Sequence, residues 1–134
     1  MTDRPTAAEL VEAVRLFLEG DLLPTLTDAR LRFQTLIAAN VLAIVSRELP
    51  TEENLLREEW QLLAEVLGTV APEPASLAGL REAVREANVR LCERIRAGEF
   101  DEPGRFHALA RQLRRTVVRK LEVANPRYLD RVTS

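Results

Sequence analysis

Hydrophobic residues recur along this chain at spacings of three and four, which is the period of an α-helix. The longest such stretch, residues 36–45, is apolar around the whole helix except for Asn40 near its middle. Because a helix that is hydrophobic on all sides is normally buried, we expect this one to be the central helix of a bundle. No run of alternating β-branched residues predicts a strand. The pattern therefore predicts an all-α protein.

Capping residues predict where the helices begin and end. Thr6 and Glu9 form a capping-box pattern, so the first helix should run from Ala7 to about Glu19, with Gly20 as a left-handed stop. Four more helices are bounded by Asp28 and Pro50, by Thr51 and Gly68, by Ser76 and Gly98, and by Asp101 and Asn125 with Pro126. We expect five antiparallel helices in a single domain spanning residues 1–134, packed around the second helix.

The apolar stripes predict which side of each helix faces inward. In the first helix the stripe is Leu10, Ala13, Val14 and Phe17, and in the third it is Leu56, Trp60, Leu63 and Leu67. In the fourth it is Leu77, Leu80, Val84, Leu91 and Ile95, and in the fifth it is Phe106, Leu109, Ala110, Leu113, Val117 and Leu121.

Composition narrows the class of protein. The chain has 134 residues, a formal net charge of -2 and one cysteine, Cys92. Because the apolar stretch is about half the length of a membrane-spanning helix and no signal-peptide pattern opens the chain, we expect a soluble, cytoplasmic protein without a membrane partner. The acidic balance and the lack of interleaved aromatic residues also argue against nucleic acid as a partner.

The sequence contains few of the residues and motifs that usually bind phosphate, act as nucleophiles or bind metal ions. The sequence has no glycine-rich phosphate loop, no nucleophile elbow and no paired cysteine motif. His107 and Cys92 are too few to bind zinc, and we expect Cys92 to be a small buried filler. We therefore predict no catalytic residue, no metal and no cofactor.

Two asparagines fall within apolar stripes. Asn40 shares a helix face with Phe33, Ile37 and Arg47, and Asn88 lies among the apolar residues of the fourth helix, so both should point inward. A buried amide needs hydrogen-bond partners. The two asparagines either fix the register of the bundle through cross-helix hydrogen bonds or line a ligand pocket with Arg47 at its mouth.

The fifth helix carries a cationic stripe on the side away from its apolar face. The stripe is His107, Arg111, Arg114, Arg115 and Arg119. It is either a solvated face or a binding site for a phosphate, a CoA pyrophosphate or an acidic protein surface. The glutamates of the third helix, which are Glu52, Glu53, Glu58, Glu59 and Glu65, also allow charge pairing within the chain or in a homodimer.

Four segments taken together resemble a known family. They are residues 4–10, residues 38–45, residues 86–88 with residues 95–98, and residues 125–128. They resemble a family of small, all-helical bacterial proteins of unknown function. That resemblance implies an accessory role beside aminoglycoside-phosphotransferase-like kinases, including hydroxyacyl-CoA kinases, and acyl-CoA dehydrogenases. It implies no catalytic residue in this chain.

The leading functional hypothesis is a non-catalytic subunit that docks on such a kinase or dehydrogenase. Its expected docking surface is Arg111, Arg114, Arg115 and Arg119 with Arg127 and Tyr128 of the tail, since arginine and tyrosine dominate interface hot spots. Two alternatives stay open. One is a stand-alone small-molecule binder with a polar pocket around Asn40 and Asn88, and the other is a homodimeric scaffold.

Overall fold

The computed structural model describes residues 3–69 and 71–132, which form six α-helices. The helices are α1 (Ala7–Leu16), α2 (Ala29–Glu48), α3 (Glu52–Leu67), α4 (Leu77–Arg96), α5 (Pro103–Ala124) and α6 (Pro126–Val132). No strand occurs in this part of the chain, so the all-α prediction is confirmed.

Most of the predicted helix ends are correct. The Glu9 amide donates to Thr6 Oγ1 at 3.2 Å and the Thr6 amide donates to Glu9 Oε2 at 2.7 Å, which completes the capping box of α1. Asp28 and Ser76 accept hydrogen bonds from the first turns of α2 and α4. Gly68 and Gly98 follow α3 and α4 with φ of 67° and 82°, the left-handed conformation that favours glycine.

The predicted stop at Gly20 is wrong. The chain continues beyond α1 as a π-helical turn, Phe17–Leu22, and a 3₁₀ turn, Leu23–Thr25. It leaves the helical conformation only at Leu26, where ψ is 127°. Because the winding continues through Gly20, that glycine does not adopt a positive φ.

Two further boundaries also differ from the prediction. The first turn of α5 is capped by Glu102 rather than Asp101, since Glu102 accepts from the amides of Gly104 and Arg105 at 3.1 Å each. The intervening Pro103 has no N–H and fits the first helical position. Pro126 has the same role in α6, so it begins a sixth helix that the sequence analysis did not predict.

The contacts of the chain divide it into two compact units. Unit 1 comprises Met1–Thr51 with Val123–Asn125, and unit 2 comprises Glu52–Glu122 with Pro126–Ser134. The expectation that residues 1–134 form a single domain stays a prediction, because this division does not test it.

Unit 1 is built on the packing of α1 against α2, and the predicted inward stripe of α1 is wrong. Leu10, Ala13, Val14 and Phe17 are all exposed. The half-buried side chains are instead Val11, Arg15 and Leu18. The hydroxyl of Ser46 on α2 helps to lower the pKa of Glu12 on α1, after the larger effect of Arg15, and Ala39 of α2 is fully buried. Small residues on α2 therefore bring the two helices together, while the larger apolar side chains remain outside.

The predicted central position of α2 is not found within unit 1. Phe33 is 64% exposed and Val41 is 51% exposed, so this helix keeps one large apolar side uncovered.

Unit 2 has its own hydrophobic core, in which α3, α4 and α5 meet. Its buried members are Leu63, Val84, Ala87, Leu91, Phe100 and Leu109, and Leu56, Trp60 and Leu67 pack against them. The predicted inward faces of α3 and α4 are largely confirmed. On α5, however, Phe106 and Val117 are more than half exposed, and Leu109 is the buried residue.

Candidate functional site

The most distinctive polar surface of unit 2 is a row of arginines on α5, which we call the arginine stripe. Its members are Arg111, Arg114, Arg115 and Arg119, and all four are exposed. At about 100° per residue, Arg111, Arg114 and Arg115 lie about 120–160° around α5 from the buried Leu109, and Arg119 lies about 80° from it. His107 continues the stripe toward the start of the helix and packs edge to face on Phe106, with 5.6 Å between ring centroids.

Arg119 shows what a guanidinium of this stripe can bind. Its Nε and Nη2 atoms donate to the two carboxylate oxygens of Glu58 on α3, both at 3.0 Å, and its Nη1 donates to Glu122 at 2.7 Å. These hydrogen bonds lower the pKa of Glu58, and the charges of Arg119 and Arg115 lower it further. A bidentate grip of this kind matches the planar fork of arginine to a carboxylate. The expected pairing of α3 glutamates with α5 therefore occurs within the chain.

The other three stripe arginines have no such partner. Across residues 3–69 and 71–132, Arg111, Arg114 and Arg115 form no hydrogen bond or ion pair. Three exposed guanidiniums within five residues make a locally positive surface on a chain whose net charge is negative.

The two tail residues of the predicted docking surface belong to α6 rather than to an irregular tail. Arg127 is exposed, and Tyr128 is 51% exposed. Helical structure fixes the backbone of both residues, and both side chains are accessible to solvent.

A buried polar cluster in unit 2 joins Asn88, which was expected to make a cross-helix hydrogen bond, to Glu59, whose burial was not predicted from the sequence. Glu59 of α3 is only 7% exposed, and its Oε1 accepts hydrogen bonds from Asn88 of α4 at 3.0 Å and from Lys120 of α5 at 2.9 Å. Asn88 also donates to the Val84 carbonyl at 3.1 Å. The signal that could have found Glu59 is its spacing, three residues after Leu56 and four before Leu63, which places it on the buried side of α3.

The remaining candidate residues have separate positions. Asn40 is exposed on α2, so the prediction that it points inward is wrong. Arg47 donates from Nε to the Val123 carbonyl at 2.7 Å, within unit 1. Cys92 is exposed rather than buried, because it lies about 100° around α4 from the buried Leu91.

The structure also bears on metal binding and membrane association. Among the described residues, no three His, Cys, Asp or Glu side chains come together as a metal site would require. None of the helices in this part of the chain has the length and apolar character needed to cross a membrane.

These features define a small all-helical protein whose most prominent polar feature is a cationic helix surface. Residues 24–128 match the family described as DUF6285, a domain of unknown function, and the chain therefore belongs to that family. No curated protein and no solved structure matches the chain.

Proposed function

We propose that this protein is a non-catalytic accessory subunit. In this proposal it docks on an aminoglycoside-phosphotransferase-like kinase that acts on a hydroxyacyl-CoA or a related acid. The observation that carries the docking role is the group of three exposed arginines on α5 that form no hydrogen bond or ion pair among the described residues. The kinase as partner comes from the family resemblance of the sequence.

The arrangement of the stripe favours a protein surface as its ligand. The arginines follow one another along a rigid helix instead of converging on one point, so they match a row of carboxylates better than a single phosphate. Arg119, already paired with Glu58 and Glu122, shows the carboxylate-binding geometry at one end of the row. Arg127 and Tyr128 supply an exposed cation and an exposed aromatic ring as further anchors.

The asparagine-lined pocket is less well supported as a function. The amide of Asn88 is already committed to Glu59 and to the Val84 carbonyl, so its role in unit 2 is structural.

The first test is genomic and biochemical. Genes next to this one should encode a phosphotransferase-like kinase or an acyl-CoA dehydrogenase, and the kinase should co-purify with this chain after co-expression. We expect the complex to form faster at low salt than at high salt, because surface charges mainly steer association. A kinase that does not co-purify, and whose activity does not change on adding the chain, would contradict the proposal.

The second test locates the docking surface. The triple variant Arg111→Ala, Arg114→Ala, Arg115→Ala should weaken the complex by about 3- to 150-fold, because each lost charge pair is worth about 0.2–1 kcal/mol. The matched control is Arg90→Ala with Arg96→Ala, which removes two exposed arginines from α4. Equal losses of affinity in the two variants would show a general effect of charge and would count against the stripe as the docking site.

A further inference from the structure

Glu58 of α3 lies at one end of the arginine stripe. Its two carboxylate oxygens accept hydrogen bonds from Nε and Nη2 of Arg119, both at 3.0 Å. Two such donors on one guanidinium bind a carboxylate through a pair of parallel hydrogen bonds. Glu122 accepts from Nη1 of the same arginine at 2.7 Å. An acidic partner therefore meets an Arg119 whose bidentate donors are already bound to a residue of this chain.

The charge of Glu58 also acts on the next arginine of the stripe. The pKa of Glu58 is lowered most by the hydrogen bond from Arg119, and then by the charges of Arg119 and Arg115. Because a charge interaction is mutual, Glu58 offsets part of the positive potential at Arg115. Arg111, by contrast, forms no hydrogen bond or ion pair within residues 3–69 and 71–132. Glu58 therefore weakens the attraction for anions at the Arg115 and Arg119 end of the stripe.

We propose that Glu58 competes with the acidic partner for the arginine stripe and so lowers the affinity of that partner. This inference rests on the docking role proposed above. The side chains of Arg119 and Glu58 are 46% and 53% exposed, and an exposed ion pair contributes little net free energy. A carboxylate of the partner can therefore displace Glu58, but it only exchanges one such pair for another.

Competition and a purely structural role for this ion pair predict different results. If Glu58 competes, removing its charge frees the bidentate donors of Arg119 and removes a repulsion between Glu58 and the carboxylates of the partner. Binding then becomes tighter, which is the reverse of the effect expected for the loss of a stripe arginine. If the pair only ties α3 to α5, the same change lowers the stability of unit 2 and leaves binding unchanged or weaker.

The experiment measures the binding of a fluorescein-labelled octaglutamate peptide to the full chain by fluorescence anisotropy at low salt, where charge interactions are least screened. Glu58→Gln keeps the size of the side chain and removes its charge. We expect this variant to bind the peptide about 2- to 30-fold more tightly than the wild type, because one charge pair is gained and one repulsion is lost, each worth about 1.4- to 5-fold. Adding Arg119→Ala to Glu58→Gln should remove the part of the gain that comes from the new pair.

The matched control is Glu93→Gln, which makes the same change of net charge at an exposed position of α4 about 160° from the buried Leu91. The Glu93 side chain forms no hydrogen bond or ion pair among the described residues, so its replacement should leave peptide binding nearly unchanged. Circular dichroism checks that each variant folds.

Three results would overturn the proposal. Glu58→Gln could bind the peptide no more tightly than the wild type or Glu93→Gln does, the peptide could bind to none of the variants, or the whole gain could survive Arg119→Ala. Because the assay contains no kinase, a gain in peptide affinity without a kinase complex contradicts the docking role alone. A kinase complex without that gain contradicts the competition alone.

Discussion

The hydrogen bond from Asn88 to Glu59 should be one of the largest single polar contributions to the stability of unit 2. Asn88 Nδ2 lies 3.0 Å from Glu59 Oε1, and the carboxylate is only 7% exposed. In Asn88→Ala the same oxygen keeps Lys120 as a donor at 2.9 Å, but the lysine side chain is 59% exposed and much of its charge is solvated. Water cannot readily replace the lost amide on a carboxylate buried to this extent. We therefore expect a loss of about 1.5–3 kcal/mol in the free energy of unfolding.

An exposed asparagine, Asn54, provides the control for the change in helix propensity that any replacement of asparagine by alanine causes. Asn54 of α3 is exposed and makes no hydrogen bond among the described residues. Replacing either asparagine by alanine gains about 0.5 kcal/mol from helix propensity. The difference between the two variants in the free energy of unfolding therefore measures the contribution of the buried hydrogen bond.

The assay is equilibrium unfolding in urea, followed by tryptophan fluorescence. Trp60 is the single tryptophan of the chain and packs against the core of unit 2, so its emission reports on this unit. The midpoint should move to lower urea while the slope stays unchanged, because the surface exposed on unfolding is the same. A difference of less than about 0.5 kcal/mol between Asn88→Ala and Asn54→Ala would refute the assigned role of the buried hydrogen bond.

Four further predictions test the core, the backbone at two glycines and one ion pair. Leu63→Ala should cost about 2.7–5 kcal/mol in the same urea assay, because Leu63 is 1% exposed in the core of unit 2 and its truncation leaves a cavity; a loss below about 1 kcal/mol would contradict that packing. Gly98→Ala should cost about 1–2 kcal/mol, because φ is 82° and a Cβ would lie 3.0 Å from Asp101 Oδ2. Gly20→Ala should instead raise the thermal midpoint, since Gly20 is helical and a Cβ there would meet no atom within 4 Å. A lower thermal midpoint in Gly20→Ala would instead indicate that Gly20 adopts the left-handed conformation predicted from the sequence. Hydrogen bonds and charge from Arg81 lower the pKa of Glu52 below its ordinary 4.5, so the stability contributed by this pair is present above about pH 4.5 and lost as the pH falls through the folded-state pKa. Acid titration followed by Trp60 fluorescence should show a smaller stability loss in Glu52→Gln than in the wild type, and equal losses would contradict this.

The ends of the helices could be predicted from the sequence because they depend on a few neighbouring residues. The capping box of Thr6 and Glu9 closes over three residues, and Asp28 and Ser76 act on amides three residues away. Gly68 and Gly98 adopt the left-handed conformation at the positions where the apolar periodicity stops. The same local signal failed at Gly20, because a glycine allows a left-handed conformation without requiring one.

The side that a helix buries was predicted correctly for α3 and incorrectly for α1. The stripe of α3 from Leu56 to Leu67 does pack on the core, because α4 and α5 cover it. The stripe of α1 also has helical spacing, yet its members are exposed, and Val11, Arg15 and Leu18 of the same helix are half-buried instead. The apolar periodicity of a sequence indicates which side of a helix should be buried, but it does not identify the element that packs on that side.

Polar residues were harder to assign for a related reason. Glu59 was named with the other glutamates of α3 only as a group available for charge pairing, whereas its carboxylate is buried in unit 2 and accepts hydrogen bonds from Asn88 and Lys120. Asn40 was expected inside because its neighbours are apolar, yet that whole side of α2 is exposed. Whether a buried polar group is tolerated depends on donors from other helices, and their positions cannot be read from local sequence.

The arginine stripe differs from a self-complementary surface in the partner that it can accept. It cannot pair with itself across a twofold axis, because like charges would face each other, so its proposed partner is an acidic surface of another protein. The alanine substitutions at Arg111, Arg114 and Arg115 should therefore weaken binding of the kinase. If they left kinase binding unchanged, the assignment of the stripe as the docking surface would be wrong.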